Sequence, residues 1–143
     1  MPLFPAGNPF SAATGQVTIV AGCDYKAADG NAAIFENAAG TWPNLTGASV
    51  YFVAQQGNAP PQLPSTIPLP LNFPAALIPP IQGTVTTPTG DQKVSFDLPA
   101  SQTGIRPTPS PTDLYAFCVF AVLANGDVVP LITGPLQVLG VSA

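Results

Sequence analysis

Histidine is absent from this chain, and every charged residue type is scarce. Without an imidazole, Ser-His-Asp and Cys-His catalysis are excluded, and the commonest zinc and copper ligand is missing. Most of the seven carboxylates stand beside glycine or in turn sequences, where local hydrogen bonding accounts for them. In the acidic stretch 24–31, Lys26 stands where a calcium loop needs an oxygen ligand. The sequence therefore predicts a protein that is not an enzyme and has no cofactor or metal.

Basic residues are the rarest charges, with three Lys and Arg against seven Asp and Glu and a net charge of -4. This balance argues against binding to a nucleic acid backbone. Charged residues are 7% of the chain, and none occurs from Asn37 to Gly90, whereas 46% of residues are hydrophobic. Disordered chains combine low hydrophobicity with high net charge, and this chain has neither. The composition indicates a working state in an assembly, where neighbours cover much of the surface.

Long apolar runs are also missing. Proline and glycine interrupt every stretch before it reaches the ~18 residues of a membrane helix. The first ten residues lack the basic start and the apolar run of a secretion signal. We therefore expect a protein made in the cytoplasm, with no membrane partner, in which Cys23 and Cys118 are buried thiols rather than a disulfide.

The length of 143 residues suits one domain. Residues 1–15 contain three prolines and no steady period, which predicts an extended N-terminal arm. Residues 16–143 predict a single domain with a proline-rich insertion at 57–83. Short β-like runs alternate with turn signals, and no apolar helical period occurs. The sequence therefore predicts an all-β fold, an antiparallel β-sandwich of about seven strands.

Several runs carry the strand prediction. Residues 114–123 are apolar on both faces, which favours a central strand, and residues 48–55 show the same two-sided pattern. Residues 93–98 alternate between apolar and polar side chains, as a one-sided strand does. An Asn-Gly pair at 125–126 predicts a type I′ hairpin turn. Pro130 places the returning strand at an edge or a bulge, with a last strand following at 135–141.

The proline-rich insertion holds eight of the 19 prolines. Because proline cannot donate a ladder hydrogen bond, this length predicts a polyproline II or irregular extended loop rather than a central strand. Its apolar side chains call for a cover. The sequence leaves two possible surfaces for these side chains to pack against: a neighbouring subunit and the face of the protein's own sandwich. The candidate docking residues are Ile67, Leu69, Leu71, Phe73, Leu77, Ile78 and Ile81.

Two aromatic residues suggest a second class of function. Trp42 and Tyr51 would form a platform for a sugar, and the chain would then be a carbohydrate-binding module. The alternative interpretation is that Trp42 fills the core of the sandwich.

The order of short motifs along the chain points to a family. A Leu-Thr-Gly-Ala turn at 45–48 enters a strand, a later strand ends near a Ser-x-Thr-Gly element at 101–104, and an aromatic strand, an Asn-Gly hairpin and a Gly-Pro-Leu-x-Val strand follow. Over about residues 15–139 this order resembles the immunoglobulin-like domains of tailed-phage virion proteins, the nearest type being the N-terminal domain of phage baseplate upper proteins.

This resemblance implies an immunoglobulin-like sandwich that serves as a non-enzymatic building block of the virion. The implied partners are other virion proteins, of the capsid or of the tail and baseplate, and copies of itself. The proline-rich insertion and the end of the chain directly after the domain differ from the baseplate pattern. They favour a small accessory or capsid-decorating protein over a host-binding one.

Overall fold

The computed structural model describes residues 8–38, 40–55, 76–105, 108 and 114–140. In this part of the chain the helical pieces are a 3-10 turn, Ala27–Asp29, and a short helix α1, Ala100–Thr103. The all-β prediction is confirmed. The strands are β1 Phe10–Ser11, β2 Gln16–Val20, β3 Ala33–Glu36, β4 Ser49–Gln55, β5 Ala76–Gln82, β6 Thr84–Thr87, β7 Lys93–Phe96, β8 Tyr115–Val122 and β9 Val128–Leu139.

The strands form two sheets. The large sheet has the order β1-β2-β9-β8-β4-β5, and the small sheet has the order β3-β7-β6. The purely antiparallel prediction is wrong at one place, because β2 runs parallel to β9. The chain leaves β2 for the small sheet, so no hairpin sets the direction of this pair. The described residues also form more strands than the seven expected, since β1 and β5 lie in segments predicted as arm and loop.

The two sheets pack face to face through phenylalanine rings. The ring of Phe35 in β3 lies 6.2 Å from that of Phe52 in β4 and 5.7 Å from that of Phe117 in β8, between centroids. Phe96 in β7 lies 6.0 Å from Phe52. All four side chains are fully buried. Burial of each such ring stabilises the fold by about 1.5–3 kcal/mol, so these rings form the centre of the core.

Part of the segment predicted as an N-terminal arm packs against the two sheets. β1 pairs with β2, and the buried ring of Phe10 lies 4.5 Å from that of Phe35. The side-chain amide of Asn8 donates to the carbonyl oxygen of Ile34 at 2.9 Å and accepts from its N–H at 3.0 Å. This side chain thus occupies part of the free edge of β3, as a strand residue would. The domain already includes Asn8, and residues 1–7 lie outside the described part.

Two strand predictions are confirmed. β8 lies between β9 and β4 and is buried on both faces. In and after β7, the side chains of Val94, Phe96 and Leu98 are buried, whereas Lys93 and Asp97 are exposed. The alternating pattern and the two-sided pattern each identified the number of covered faces.

The hairpin between β8 and β9 is confirmed, but its turn type is not. The N–H of Gly126 donates to the carbonyl oxygen of Leu123, and the N–H of Leu123 donates to that of Asp127, both at 2.8 Å. Gly126 has a φ of 93°, whereas no described residue other than glycine has a positive φ. Asn125 is therefore outside the left-handed region, and the type I′ prediction is wrong. The connection is a type I turn followed by a left-handed glycine.

The returning strand is continuous, where the sequence predicted two strands. Its register with β8 shifts between Val119 and Phe120, which leaves Leu131 as an extra residue beside Pro130. The prediction of an edge or bulge position for Pro130 is confirmed. The indole N–H of Trp42 donates to the carbonyl oxygen of Leu131 at 3.0 Å.

The end of the proline-rich insertion is a strand, so the loop prediction is wrong over Ala76–Gln82. β5 lies at the edge of the large sheet, where Pro79 and Pro80 face no further strand that needs their missing N–H groups. The chain then passes to the small sheet at Gly83. A Cβ atom there would lie 2.5 Å from the ring of Phe96 and from the carbonyl oxygen of Ser95, so this corner requires glycine.

Candidate docking surface

Strands β4 and β8 carry apolar side chains on both faces. Phe52 and Phe117 face the small sheet and belong to the inner cluster, which is the core between the sheets. On the opposite face, Val53 is paired with Cys118 across the two strands. The rings of Tyr51 and Phe120 stack there at 5.4 Å. We call this second group the outer cluster; its members are Val53, Cys118 and Phe120, with half-buried Tyr51, Val122 and Val128 packed against them.

The outer cluster is as buried as the inner one. Val53 and Phe120 are 0% exposed and Cys118 is 1% exposed. The sequence indicated this cluster, because residues 48–55 and 114–123 carry apolar side chains on both faces of a strand. The expectation that both faces are covered is confirmed.

The rest of this sheet face is mixed, with polar side chains on β2 and β9 and the exposed side chain of Leu139 at the end of β9. On β2 and β9, the Nε2 group of Gln16 donates to the hydroxyl oxygen of Thr18 at 2.9 Å and to the Oε1 atom of Gln137 at 3.1 Å. Thr133, opposite Cys118 on β9, is exposed. The outer face of the large sheet is therefore divided into an apolar, buried half on β4 and β8 and a more exposed half on β2 and β9 that carries polar side chains.

Charge is distributed unequally between the two sheets. The six strands of the large sheet contain no charged residue. The small sheet carries an exposed ion pair between Lys93 and Glu36, with 3.4 Å between nitrogen and oxygen. A second, longer pair joins Lys26 and Asp24 at 3.9 Å in the connection after β2. The large sheet thus presents neutral surfaces only.

Two carboxylates, those of Asp24 and Asp97, accept hydrogen bonds from backbone N–H groups. Asp24 accepts a hydrogen bond from the N–H of Ala100 at 2.6 Å, at the start of α1. Asp97 accepts one from the N–H of Ala27 at 2.9 Å, at the start of the 3-10 turn. Among the residues that the structure describes, no group of three or more potential ligands is placed to hold a metal ion.

The predicted docking residues fall into two groups. Ile78 is fully buried in the inner cluster, and Ile81 is half-buried against it. Ile78 thus packs within its own fold. Leu77 lies in β5, but its side chain is outside the described structure. The remaining candidates also lie outside the described residues; they are Ile67, Leu69, Leu71 and Phe73.

The two aromatic residues of the sugar-platform hypothesis are not brought together. Half-buried Trp42 packs against the inner cluster, and its indole N–H donates a hydrogen bond to a carbonyl oxygen of β9. Tyr51 packs against the outer cluster, on the other face of the large sheet. A shared platform would need both rings on one surface. The placement of Trp42 fits the interpretation that it fills the core.

Both cysteines are free and buried, so the prediction of buried thiols is confirmed. Cys23 belongs to the inner cluster and Cys118 to the outer one. Burial raises the pKa of the Cys118 thiol to about 12. Burial, and after it the negative charge of Asp24, raise the pKa of Cys23. Because the thiolate is the reactive form, neither group is chemically activated.

No protein-family model, curated protein or solved structure matches this chain. In the part that the structure describes, no helix combines the length and apolar character needed to span a bilayer. The class of protein that the fold defines is an all-β domain of two sheets with a neutral large sheet.

Proposed function

We propose that this protein is a non-enzymatic structural component of a tailed-phage virion. It is a small accessory module that docks on the capsid surface and stabilises it, or docks on the tail or baseplate. The finer fold assignment that belongs to this proposal is an immunoglobulin-like sandwich. The order of motifs between residues 45 and 138 supports both parts.

The observation that carries the proposal is the absence of charge from the large sheet. Sheets that face water as monomers are commonly protected by charged side chains, lysine above all. A neutral sheet instead suits packing against other protein, because no charge has to leave water when the surfaces meet. A module present in many copies of a symmetric particle meets this condition.

The edges of the large sheet indicate how it would dock. At one edge β5 contains two prolines, which remove backbone donors, and at the other edge β1 is only two residues long. Neither edge offers a row of N–H and C=O groups for an added strand. Docking therefore uses side-chain packing of the neutral faces rather than strand addition.

Mass spectrometry of purified particles tests the proposal. We expect the protein in the virion, with a copy number that separates a capsid lattice from a tail ring. Its absence from intact particles would overturn the proposal.

A matched pair of variants tests the surface. Thr133→Lys adds a charge to the exposed half of the outer face, and Thr84→Lys adds one to the exposed small-sheet strand β6. We expect the first to lower the copy number per particle by about tenfold, the effect of about 1.4 kcal/mol, and the second to leave it unchanged. Equal incorporation of both proteins contradicts docking through the large sheet.

A further inference from the structure

The turn between β8 and β9 contains Asn125 and Gly126, the single Asn-Gly pair of the chain. Asparagine is among the chemically labile residues of proteins. Its side-chain carbonyl carbon, Cγ, is open to attack by the backbone nitrogen of the next residue, and glycine has no side chain to obstruct that attack. The side chain of Asn125 is exposed to water. The turn therefore brings together the groups that react in deamidation.

The reaction is a ring closure followed by hydrolysis. The nitrogen of Gly126 loses its proton to hydroxide and forms a bond with Cγ of Asn125. The Cγ–Nδ2 bond breaks, and ammonia leaves with a proton taken from water. A second water molecule opens the resulting succinimide at either carbonyl group. One opening gives aspartate, and the other gives isoaspartate, whose backbone is longer by a methylene group.

The folded turn opposes this ring closure through its hydrogen bonds. The N–H of Gly126 donates to the carbonyl oxygen of Leu123 at 2.8 Å, so the proton that must leave is already bound. Asp127 holds the Asn125 side chain at both of its polar atoms. The Oδ1 atom of Asn125 accepts from the N–H of Asp127 at 3.0 Å, and its Nδ2 group donates to Oδ2 of Asp127 at 3.1 Å. Turning this amide toward the Gly126 nitrogen breaks the bonds to Asp127.

The charge of Asp127 opposes the same step. The attacking nitrogen carries a negative charge once its proton is lost. The carboxylate of Asp127 lies within hydrogen-bond distance of the side-chain amide that this nitrogen attacks. Like charges this close repel each other, and water around the exposed turn weakens the repulsion without removing it. Asp127 therefore holds the amide and also disfavours an anion beside it.

We propose that Asn125 is a latent deamidation site, with water as its co-reactant, and that Asp127 restrains the reaction in the folded turn. Deamidation then proceeds from conformations in which the turn has opened, because local opening exposes groups that the fold protects. The inference concerns the isolated chain and does not depend on the virion proposal, which particle composition tests separately.

The product does not fit the turn that forms it. Aspartate at position 125 has no Nδ2 group to donate to Asp127 and brings a second carboxylate to the same place, where the two charges repel. Isoaspartate lengthens the backbone between the carbonyl group of Leu123 and the N–H of Gly126, which are hydrogen-bonded in the native turn. We therefore expect deamidation to weaken the end of the β8–β9 hairpin and to add a negative charge there.

Peptide mass spectrometry after incubation at mildly alkaline pH tests the proposal. We expect the acid at position 125 to form about tenfold or more faster in guanidinium chloride than in the native protein, because only the open turn reacts. Asn44 is the internal control. Its Oδ1 atom accepts from the N–H of Thr46 at 2.9 Å, but Leu45 follows it, so it should remain an amide in both states. Equal rates at Asn125 in the two states would overturn the proposal.

A matched pair of variants tests the part played by Asp127. Asp127→Ala removes one hydrogen bond and the charge, and we expect Asn125 to deamidate about fivefold faster under native conditions. Glu36→Ala removes an exposed carboxylate from the small sheet and should leave the rate at Asn125 unchanged. A folded Asp127→Ala protein that deamidates no faster than the wild type overturns the restraining role. The comparison of native and unfolded wild type needs no substitution, so it decides the case in which Asp127→Ala does not fold.

An exchange of the two side chains tests the effect of the product. Asn125→Asp imitates the charge of the product, and we expect it to lower the melting temperature by roughly 2–4 °C. Adding Asp127→Asn returns an amide donor to the pair and should recover most of this loss. An Asn125→Asp protein as stable as the wild type would contradict the expected misfit of the product.

Discussion

The inner and outer clusters occupy the two faces of the same strand, β8, and differ in the described elements that pack against them. The inner cluster lies between two hydrogen-bonded sheets and joins several phenylalanine rings. The outer cluster lies on one sheet and contains a single stacked pair of rings, Tyr51 and Phe120. Both are fully buried, so burial does not distinguish them. They differ in their described surroundings, because the small sheet lies opposite the inner cluster, whereas the described neighbours of the outer cluster stand on the same sheet.

A matched pair of alanine variants gives the largest expected effect. Phe117 and Phe120 are both fully buried in β8, on opposite faces. We expect Phe117→Ala to lower the free energy of unfolding by about 3–5 kcal/mol, because two sheets hold the cavity open. Phe120→Ala should cost about half as much, since the described neighbours of Phe120 stand on its own sheet and no second described sheet holds that cavity open. Urea denaturation measures both, and equal costs would contradict this difference between the two clusters.

The next largest loss of stability is expected at Gly83, the corner where the chain passes from the large sheet to the small sheet. Gly83→Ala places a methyl group against the ring of Phe96 and the Ser95 carbonyl oxygen, and we expect a loss of about 1–3 kcal/mol. The control is Gly104→Ala, because Gly104 has a φ of -73° and its Cβ would lie 3.5 Å from the nearest carbonyl oxygen. Thermal unfolding compares the two variants. A Gly83→Ala protein as stable as the control would contradict the tight corner.

The raised pKa of Cys118 predicts a dependence on pH that reports on the outer cluster. Its folded pKa of about 12 exceeds the ordinary value of 9.0. The stabilisation is complete below pH 9 and is lost as the pH rises toward 12, because the unfolded chain releases this proton first. Between pH 9 and pH 10 we expect the wild type to lose about 1 kcal/mol more stability than Cys118→Ala. Parallel slopes for the two proteins would show that water reaches the thiol.

The smallest effect belongs to the charged small sheet. Lys93 and Glu36 have side chains 46% and 62% exposed, so their ion pair is screened by water. We expect Lys93→Gln to lower the free energy of unfolding by about 0.2–1 kcal/mol, and the difference to vanish at high salt. A double-mutant cycle with Glu36→Gln isolates the pair. A coupling as large as the cost of losing a core ring would contradict the expectation that water screens this ion pair.

Local sequence patterns predicted the strands whose formation depends mainly on their own side chains. The alternation at 93–98 and the two-sided run at 114–123 both identified strands correctly, because periodicity reports how many faces are covered. The Asn-Gly pair located the hairpin but not its turn type. In the observed turn only Gly126 has a positive φ, whereas a type I′ turn requires a positive φ at Asn125 as well.

Patterns failed where a neighbouring strand decides the structure. Phe10 stands among prolines and glycines, yet it pairs with β2 and enters the core. The strand at Ala76–Gln82 contains two prolines, which argue against pairing on both sides but permit it on one. Nothing in either local sequence says that a free edge is available. The parallel pairing of β2 with β9 likewise depends on where the rest of the chain travels.

Residue types and their spacing suffice to predict an all-β fold with few charges, buried thiols and apolar strands that are covered on both faces. These properties follow from side-chain chemistry and period, which act over a few residues. The path of the chain between the sheets, the role of Ile78 in the core and the separation of Trp42 from Tyr51 come only from tertiary structure. They depend on contacts between residues distant in sequence, where packing and free strand edges choose among conformations that the local sequence permits equally.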